Sequence, residues 1–251
     1  MPRFTRPLLL LAALAALSCD PQPTDPSTPN GEPALGTVTA GADVRYSPRF
    51  DPGNFVHRVD NRFFPLTPGT RFVYFGEEDG EPQKNVVVVT HDRKNILGIS
   101  AIVVHDQVYV HGELQENTFD WFAQDKNGNV WYLGEDSREI EDGKVVSTEG
   151  SWEAGVDGAR AGIIMPAHPQ VGQRYQQEFF EGEAEDEARV VALGLDVNVP
   201  YGSFHNCIRT QEFTRLEPGV VEAKFYCPNV GMVKERGLEG PPARLVLKHI
   251  F

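Results

Sequence analysis

After Phe72 the chain consists of short runs rich in Val, Ile, Phe, Tyr and Thr, each ended by a glycine-containing turn. Nowhere does an apolar spacing of 3.6 residues persist long enough to define a helix, so these runs read as strands. The turns fix which residues face each other. Asp79-Gly80, His111-Gly112, Asn127-Gly128 and Asp142-Gly143 are pairs that readily take the positive φ angles of two-residue hairpins. They predict consecutive antiparallel strands over 71–77, 82–91, 99–110, 113–125, 129–140 and 144–152. Further strands are expected near 174–180, 187–199, 204–214, 220–227, 230–236 and 243–250. The stretch from Gly155 to Gln173, with Gly158, Gly162, Pro166 and Pro169, breaks the pattern and reads as a loop crossing one end of the sheet. About a dozen strands in one domain imply an all-β fold, a large curved antiparallel meander sheet that forms a partly closed barrel or a sandwich. The uniform hairpins favour the curved sheet.

The N-terminal region has a different character. Leu8 to Leu17 form an apolar run preceded by Arg3 and Arg6 and followed by Ser18-Cys19, the order of a secretory signal. Ala16-Leu17-Ser18-Cys19 resembles the lipobox of bacterial lipoproteins, which implies an acylated Cys19 as the new N-terminus. Residues 20–33 are rich in Pro, Asp, Thr and Ser, with nothing apolar to bury, and read as an extended tether. The expected organisation is therefore a signal peptide over 1–18, a lipid-anchored Pro-rich tether over 19–45 and one all-β domain over 46–251.

Charge and cysteine content agree with that address. The net charge is −13, from 23 basic and 36 acidic residues, which excludes nucleic acid as a natural partner and disfavours anionic membrane surfaces. The lipid bilayer is then reached through the acyl anchor alone, with the protein in the cell envelope, facing the periplasm or the exterior. Cys207 and Cys227 flank Leu216-Glu217-Pro218-Gly219, and a symmetric hairpin centred on Glu217 places them opposite each other at a bridgeable separation. A strict two-residue turn at Pro218-Gly219 would shift that register, so a longer loop or a bulge is required.

Three segments resemble uncharacterised secreted bacterial lipoproteins with a large antiparallel sheet. They are Phe64-Pro65-Leu66-Thr67-Pro68-Gly69-Thr70-Arg71-Phe72-Val73-Tyr74, the Asp120 to Tyr132 segment with its Trp-Phe and Trp-Tyr pairs, and Pro228-Asn229-Val230-Gly231-Met232-Val233-Lys234-Glu235. The resemblance implies a fold and an exported address; its motifs are turn and core positions and imply no reaction.

No Gly-x-Ser-x-Gly, Ser-x-x-Lys, His-Glu-x-x-His, Walker or Gly-x-Gly-x-x-Gly signature is present. A site has to come from sheet positions. With Asn127-Gly128 as a two-residue loop, Asp120 lies opposite Glu135; with His111-Gly112, Asp120 lies opposite Val103 and diagonal to His105. One face then carries His105, Asp120 and Glu135 as candidate catalytic residues, with Phe122, Trp131, Leu133 and Trp152 around them as a candidate ligand-binding wall. Two opposed carboxylates repel unless one is protonated or a cation sits between them, so Asp120 and Glu135 are also the candidate ligands of a divalent cation. Weaker candidates are the alternating Asp125, Asn127 and Asn129, the acidic run from Glu181 to Glu187, the loop residue His168, and Trp121.

These features point to an envelope lipoprotein that binds a small or lipid-like ligand, or a partner protein, on a concave sheet, without catalysis. A hydrolytic or metal-assisted envelope enzyme using His105, Asp120 and Glu135, and a purely structural envelope protein, are the alternatives.

Overall fold

The computed structural model describes residues 46–251. The signal, the lipobox cysteine and the tether lie outside the described residues. A short 3₁₀ turn at Pro52–Asn54 precedes β1 (Phe55–Val56), β2 (Val59–Asn61), β3 (Phe64–Leu66), β4 (Arg71–Glu78), β5 (Glu81–Ile96), β6 (Ile99–Val110) and β7 (Glu113–Asp125). Then come β8 (Val130–Asp136), β9 (Glu139–Glu141), β10 (Lys144–Ser147), β11 (Trp152–Glu153), β12 (Arg160–Met165), β13 (Arg174–Gln176) and β14 (Glu178–Phe179). The chain ends with β15 (Asp186–Val199), β16 (Gly202–Thr214), β17 (Val221–Cys227), β18 (Gly231–Glu239) and β19 (Ala243–Ile250).

Strands β4 to β8 pair in succession, as do β15 to β19, and β19 returns to β4. Between β8 and β15, β12 pairs with both β8 and β14, while β13 pairs with β15. The result is a large antiparallel sheet nearly closed into a barrel, the curved alternative of the two expected. Closure removes exposed strand edges that would otherwise recruit other chains.

The predicted Gly155–Gln173 crossing loop is corrected: it contains β12, without which the ring would not close. Gly162 read as a loop residue, yet an added Cβ there would stand 2.2 Å from the Gln177 carbonyl carbon. Its role is close backbone approach inside a sheet. The expected strands 129–140 and 144–152 are each interrupted, the first at Ser137-Arg138 and the second between Ser147 and Trp152.

Three of the four predicted two-residue turns form as expected, with positive φ at Asp79-Gly80, His111-Gly112 and Asp142-Gly143. Asn127-Gly128 does not. Gly128 N–H donates to Asp125 O and Asp125 N–H donates to Asn129 O, both at 2.9 Å, giving a longer loop. Pairing then starts at Gln124↔Val130 and Phe122↔Tyr132, and an extra residue at Leu133-Gly134 restores Asp120↔Glu135. The Cys207 to Cys227 hairpin is symmetric about Glu217, with Ile208↔Tyr226 and Glu212↔Glu222, and closes a disulfide with Cα atoms 4.2 Å apart.

Because consecutive strands are antiparallel, their connections alternate between two ends. Those at 79–80, 111–112, 215–220 and 240–242 share one end, and those at 97–98, 126–129, 200–201 and 228–230 share the other. The β2–β3 hairpin lies across the second end. There Gln124 accepts from the Asp60 and Asn61 amides, Asn61 Nδ2 donates to Gly128 O and Pro166 O, and Phe64 packs on Phe122 at 5.2 Å.

Gly134 is the position on which the β7–β8 register turns. Its φ is +134°, and an added Cβ would lie 2.3 Å from Trp152 O. Gly134→Ala is expected to destabilise the fold by at least about 2 kcal/mol, read as a lower urea midpoint, whereas Gly143→Ala, which meets nothing within 4 Å, should cost less.

Candidate functional site

Side chains alternate across a strand, and the inward positions of this ring enclose a cavity of about 220 Å³ walled by Phe64, Phe72, Tyr74, Val87, Val104, Phe122 and Tyr226 among others. A second cavity of about 90 Å³ shares Tyr132, Ile164, Glu222 and Lys224 with it. Both are acidic. Asp106 on β6, Glu116 and Asp120 on β7, Glu222 on β17 and Glu235 on β18 line the larger; Glu135 on β8, Glu178 on β14, Asp186 on β15 and Glu212 on β16 line the smaller. The matching cations are Lys224, shared by both, and Arg244, which is exposed where the larger cavity approaches the surface.

Several of these acids are held by neutral donors. Tyr132 Oη donates to Asp120 Oδ1 at 2.6 Å, Thr118 Oγ1 to Glu116 Oε1 at 2.7 Å, Trp152 Nε1 to Glu178 Oε2 at 2.9 Å and Tyr226 Oη to Glu212 Oε1 at 3.0 Å. Lys224 Nζ lies 3.0 Å from Glu212 Oε2 and 3.8 Å from Glu235 Oε2. Burial opposes its charge, but the surrounding carboxylates of Glu212, Glu235 and Glu222 more than offset that, so the ammonium stays protonated.

Desolvation is the main influence on the acids. It pushes Asp120 up to about 6, Glu116 and Glu178 up to about 7 and Glu222 up to about 8. Asp106, Glu135 and Asp186 are also raised, first by burial and then by neighbouring carboxylates. A shared pocket of like charges with limited solvent holds protons that exposed carboxyls would release.

The structure brings Asp120 and Glu135 together as directly opposed partners on the inner face. It does not place His105 with them, which corrects the expected three-residue face. An extra residue at Gln115 shifts the β6–β7 register, so Asp120 opposes Val104 and His105 opposes Phe119. A one-residue slip moves a side chain to the other face of the sheet. On that outer face His105 stacks on Phe119 at 4.4 Å, and its Nε2 is 2.7 Å from Asn117 Oδ1.

Of the expected aromatic wall, Phe122 lines the larger cavity and stacks on Tyr132 at 4.8 Å. Trp152 is opposite Glu135, not Leu133, and meets the Tyr132 ring edge-on at 5.3 Å. Trp131 lies opposite Ala123 on the other face, where it packs on Phe50 at 4.9 Å and donates to Asp125 Oδ2. The altered Asn127-Gly128 loop causes the shift that turns Trp131 over, whereas Trp152 is displaced by the register shift between Val145 and Ser147 beyond the Asp142-Gly143 turn.

Asp125 is engaged by the Asn129 amide and side chain, which tie the turn. In the acidic run Glu185 pairs with Arg215 and Glu187 with Arg174, while Asp186 turns inward. His168 is exposed, and Trp121 lies under Lys94 Nζ, 3.3 Å from the ring centroid. Among the described residues no three His, Cys, Asp or Glu side chains converge as a metal site requires.

Sequence reasoning missed Asp106, Glu116, Glu178, Glu212, Glu222, Lys224 and Glu235. The alternations Val104-Asp106-Val108 and Glu222-Lys224-Tyr226 carried the signal, but acids at every second position ordinarily mark the solvated face of a sheet.

No protein-family model matches the chain, and no curated protein matches it. Among solved structures, it is similar over 76% of its length to 99% of a protein from Bacteroides fragilis described as exported and of YmcC-like fold, at 17% identity and a TM-score of 0.46. It is also similar over 76% of its length to 99% of a protein from Parabacteroides distasonis described as a lipoprotein, at 11% identity and a TM-score of 0.36. Neither assigns a role to a residue of this chain.

Raised carboxyl pKa values make stability depend on pH with a definite sign. The folded state holds protons that the unfolded chain has released, so this contribution is complete below the unfolded pKa of about 4 and is lost as pH rises through the raised values. Asp120, Glu116 and Glu178 place the loss between about pH 4 and pH 7. The groups facing Glu135 in that window are Asp120, Glu116, Glu178, Asp186 and, across the smaller cavity, Lys224. Glu135→Gln is therefore expected to raise the melting temperature at pH 8 by a few degrees, about 1 kcal/mol, and to change it little at pH 5. An equal change at both values would mean that Glu135 does not hold its proton.

Proposed function

We propose that the protein is an exported binding protein, tethered to the cell envelope through an acylated Cys19, that holds a small ligand inside its ring of strands and performs no chemistry on it. The observation that carries this reading is the cavity itself: a partly open space of about 220 Å³ with aromatic walls and convergent polar groups. The buried Cys207–Cys227 disulfide supports an oxidising compartment, as does the charged, apolar and small-residue order from Arg3 to Cys19. With His105 on the outer face, the inner carboxylates have no histidine beside them to act as a base. That removes the histidine as base from the hydrolytic alternative.

Native mass spectrometry of the full chain, purified without chelators from a host that exports it, tests this. The expected result is an added mass of small-molecule size that is absent from Val108→Phe, in which a larger side chain fills part of the cavity that Val108 lines. A bare mass for both proteins would overturn the reading in favour of a partner-protein or structural role.

A further inference from the structure

The larger cavity contains hydrogen-bonding atoms with no partner among the protein's own described groups. Asn85, 7% exposed, points Nδ2 at Asp106 Oδ2 across 3.5 Å. That leaves Asn85 Oδ1 and Asp106 Oδ1 buried and without a partner, and both side chains line the cavity. With Asp106 ionised, as beside a bound cation, turning the amide over would set its oxygen against a carboxylate oxygen, so the orientation with an acceptor free is the favourable one. In that state both unpaired atoms are acceptors, and an occupant that satisfies them must donate.

The charge around them narrows the occupant further. Glu116, Asp120, Glu222 and Glu235 line the same space, the ammonium of Lys224 is already engaged by Glu212 and Glu235, and Arg244 is solvent-exposed. At pH 8 Asp120 and Glu116, pushed up only to about 6 and about 7, are ionised, and buried negative charge without a counter-charge is costly. A carboxylate or phosphate headgroup would meet these acids and add to the cost, which weighs against an anionic lipid. A divalent metal needs several converging ligands, and the described residues hold no such group. Water would satisfy single oxygens but leave the charge unbalanced. The walls include the aromatic residues Tyr74 and Phe122, a residue type that attracts cations. A cavity of roughly 150 Å³ takes benzene, so about 220 Å³ suits a molecule somewhat larger.

Resting on the reading that the ring encloses a ligand, we propose that this ligand is a small organic cation, an alkyl- or arylalkyl-ammonium whose N–H groups bond the Asn85 and Asp106 oxygens while its carbon part lies against the aromatic wall. Its charge offsets the surplus of inner carboxylates in the way that Lys224 does for Glu212 and Glu235.

Isothermal titration calorimetry of the full chain at pH 8 tests this with 1,4-diaminobutane, agmatine and 2-phenylethylamine. Butane-1,4-diol and 2-phenylethanol serve as neutral counterparts, phenylacetate as the anion, and calcium chloride as the metal alone. At least one ammonium probe is expected to bind at least tenfold more tightly than its neutral counterpart, a difference of about 1.4 kcal/mol. Asp106→Asn should weaken it by a similar factor without lowering the melting temperature. If that variant fails to fold, Asn85→Ser, which removes the amide acceptor, provides the same reading. Equal or tighter binding of a neutral probe, of phenylacetate or of calcium overturns the cationic assignment while leaving an internal binding site in place. Binding of none of the probes, together with a bare native mass, overturns both.

Discussion

Carboxylates enclosed with one lysine inside a nearly closed ring of strands are the constraint to which the rest of this molecule answers. In water each acid would lose its proton at little cost; inside the ring each must keep it, find a donor or share a counter-charge. All three solutions occur within a few ångströms. Burial holds protons on Glu135 and Asp186, Tyr132, Thr118 and Trp152 supply neutral donors, and Lys224 serves Glu212 and Glu235. Such an interior is poor at maximising stability, because an apolar filling of the same volume would avoid the desolvation cost altogether. On the proposed reading, that desolvation cost accompanies a binding space, which links the electrostatics to the proposed role.

Two irregularities decide which side chains share that space. The extra residue at Gln115 turns His105 outward, and the bulge at Leu133-Gly134 brings Glu135 opposite Asp120 after a loop that had moved the strand by one position. A sheet with perfect hairpins would have put a histidine beside two carboxylates; the actual sheet puts tyrosine and tryptophan there. Bulges also bend the strands that carry them, which a ring of this kind needs in order to close. Register and curvature therefore come from the same residues.

Much of the architecture was legible in the chain. Asp79-Gly80, His111-Gly112 and Asp142-Gly143 announced their hairpins because only a few residue types tolerate their backbone angles, and the cysteine spacing announced a symmetric hairpin about Glu217. The interior was not legible. Bulges have no strong local signature, so the pairing of Asp120 with Glu135 was reached through a loop length and a bulge that cancel, while the same arithmetic misplaced His105, Trp131 and Trp152. The strand Arg160–Met165 hid behind Gly162 and Pro166, whose turn-like character reflects tight packing and strand ending instead. Asp106 and Lys224 looked like solvated sheet positions, because alternation shows that two faces differ without showing which one closes around a cavity.

The most direct test of the buried acidic interior is a carboxyl-carbon NMR titration of the Asp120 and Glu135 side chains in the full chain without added ligand. Both should keep their protons beyond the ordinary carboxylate range, with Asp120 titrating near 6 and Glu135 also well displaced upward. Titration of both near about 4, the value of exposed side chains, would contradict it and show an interior open to water.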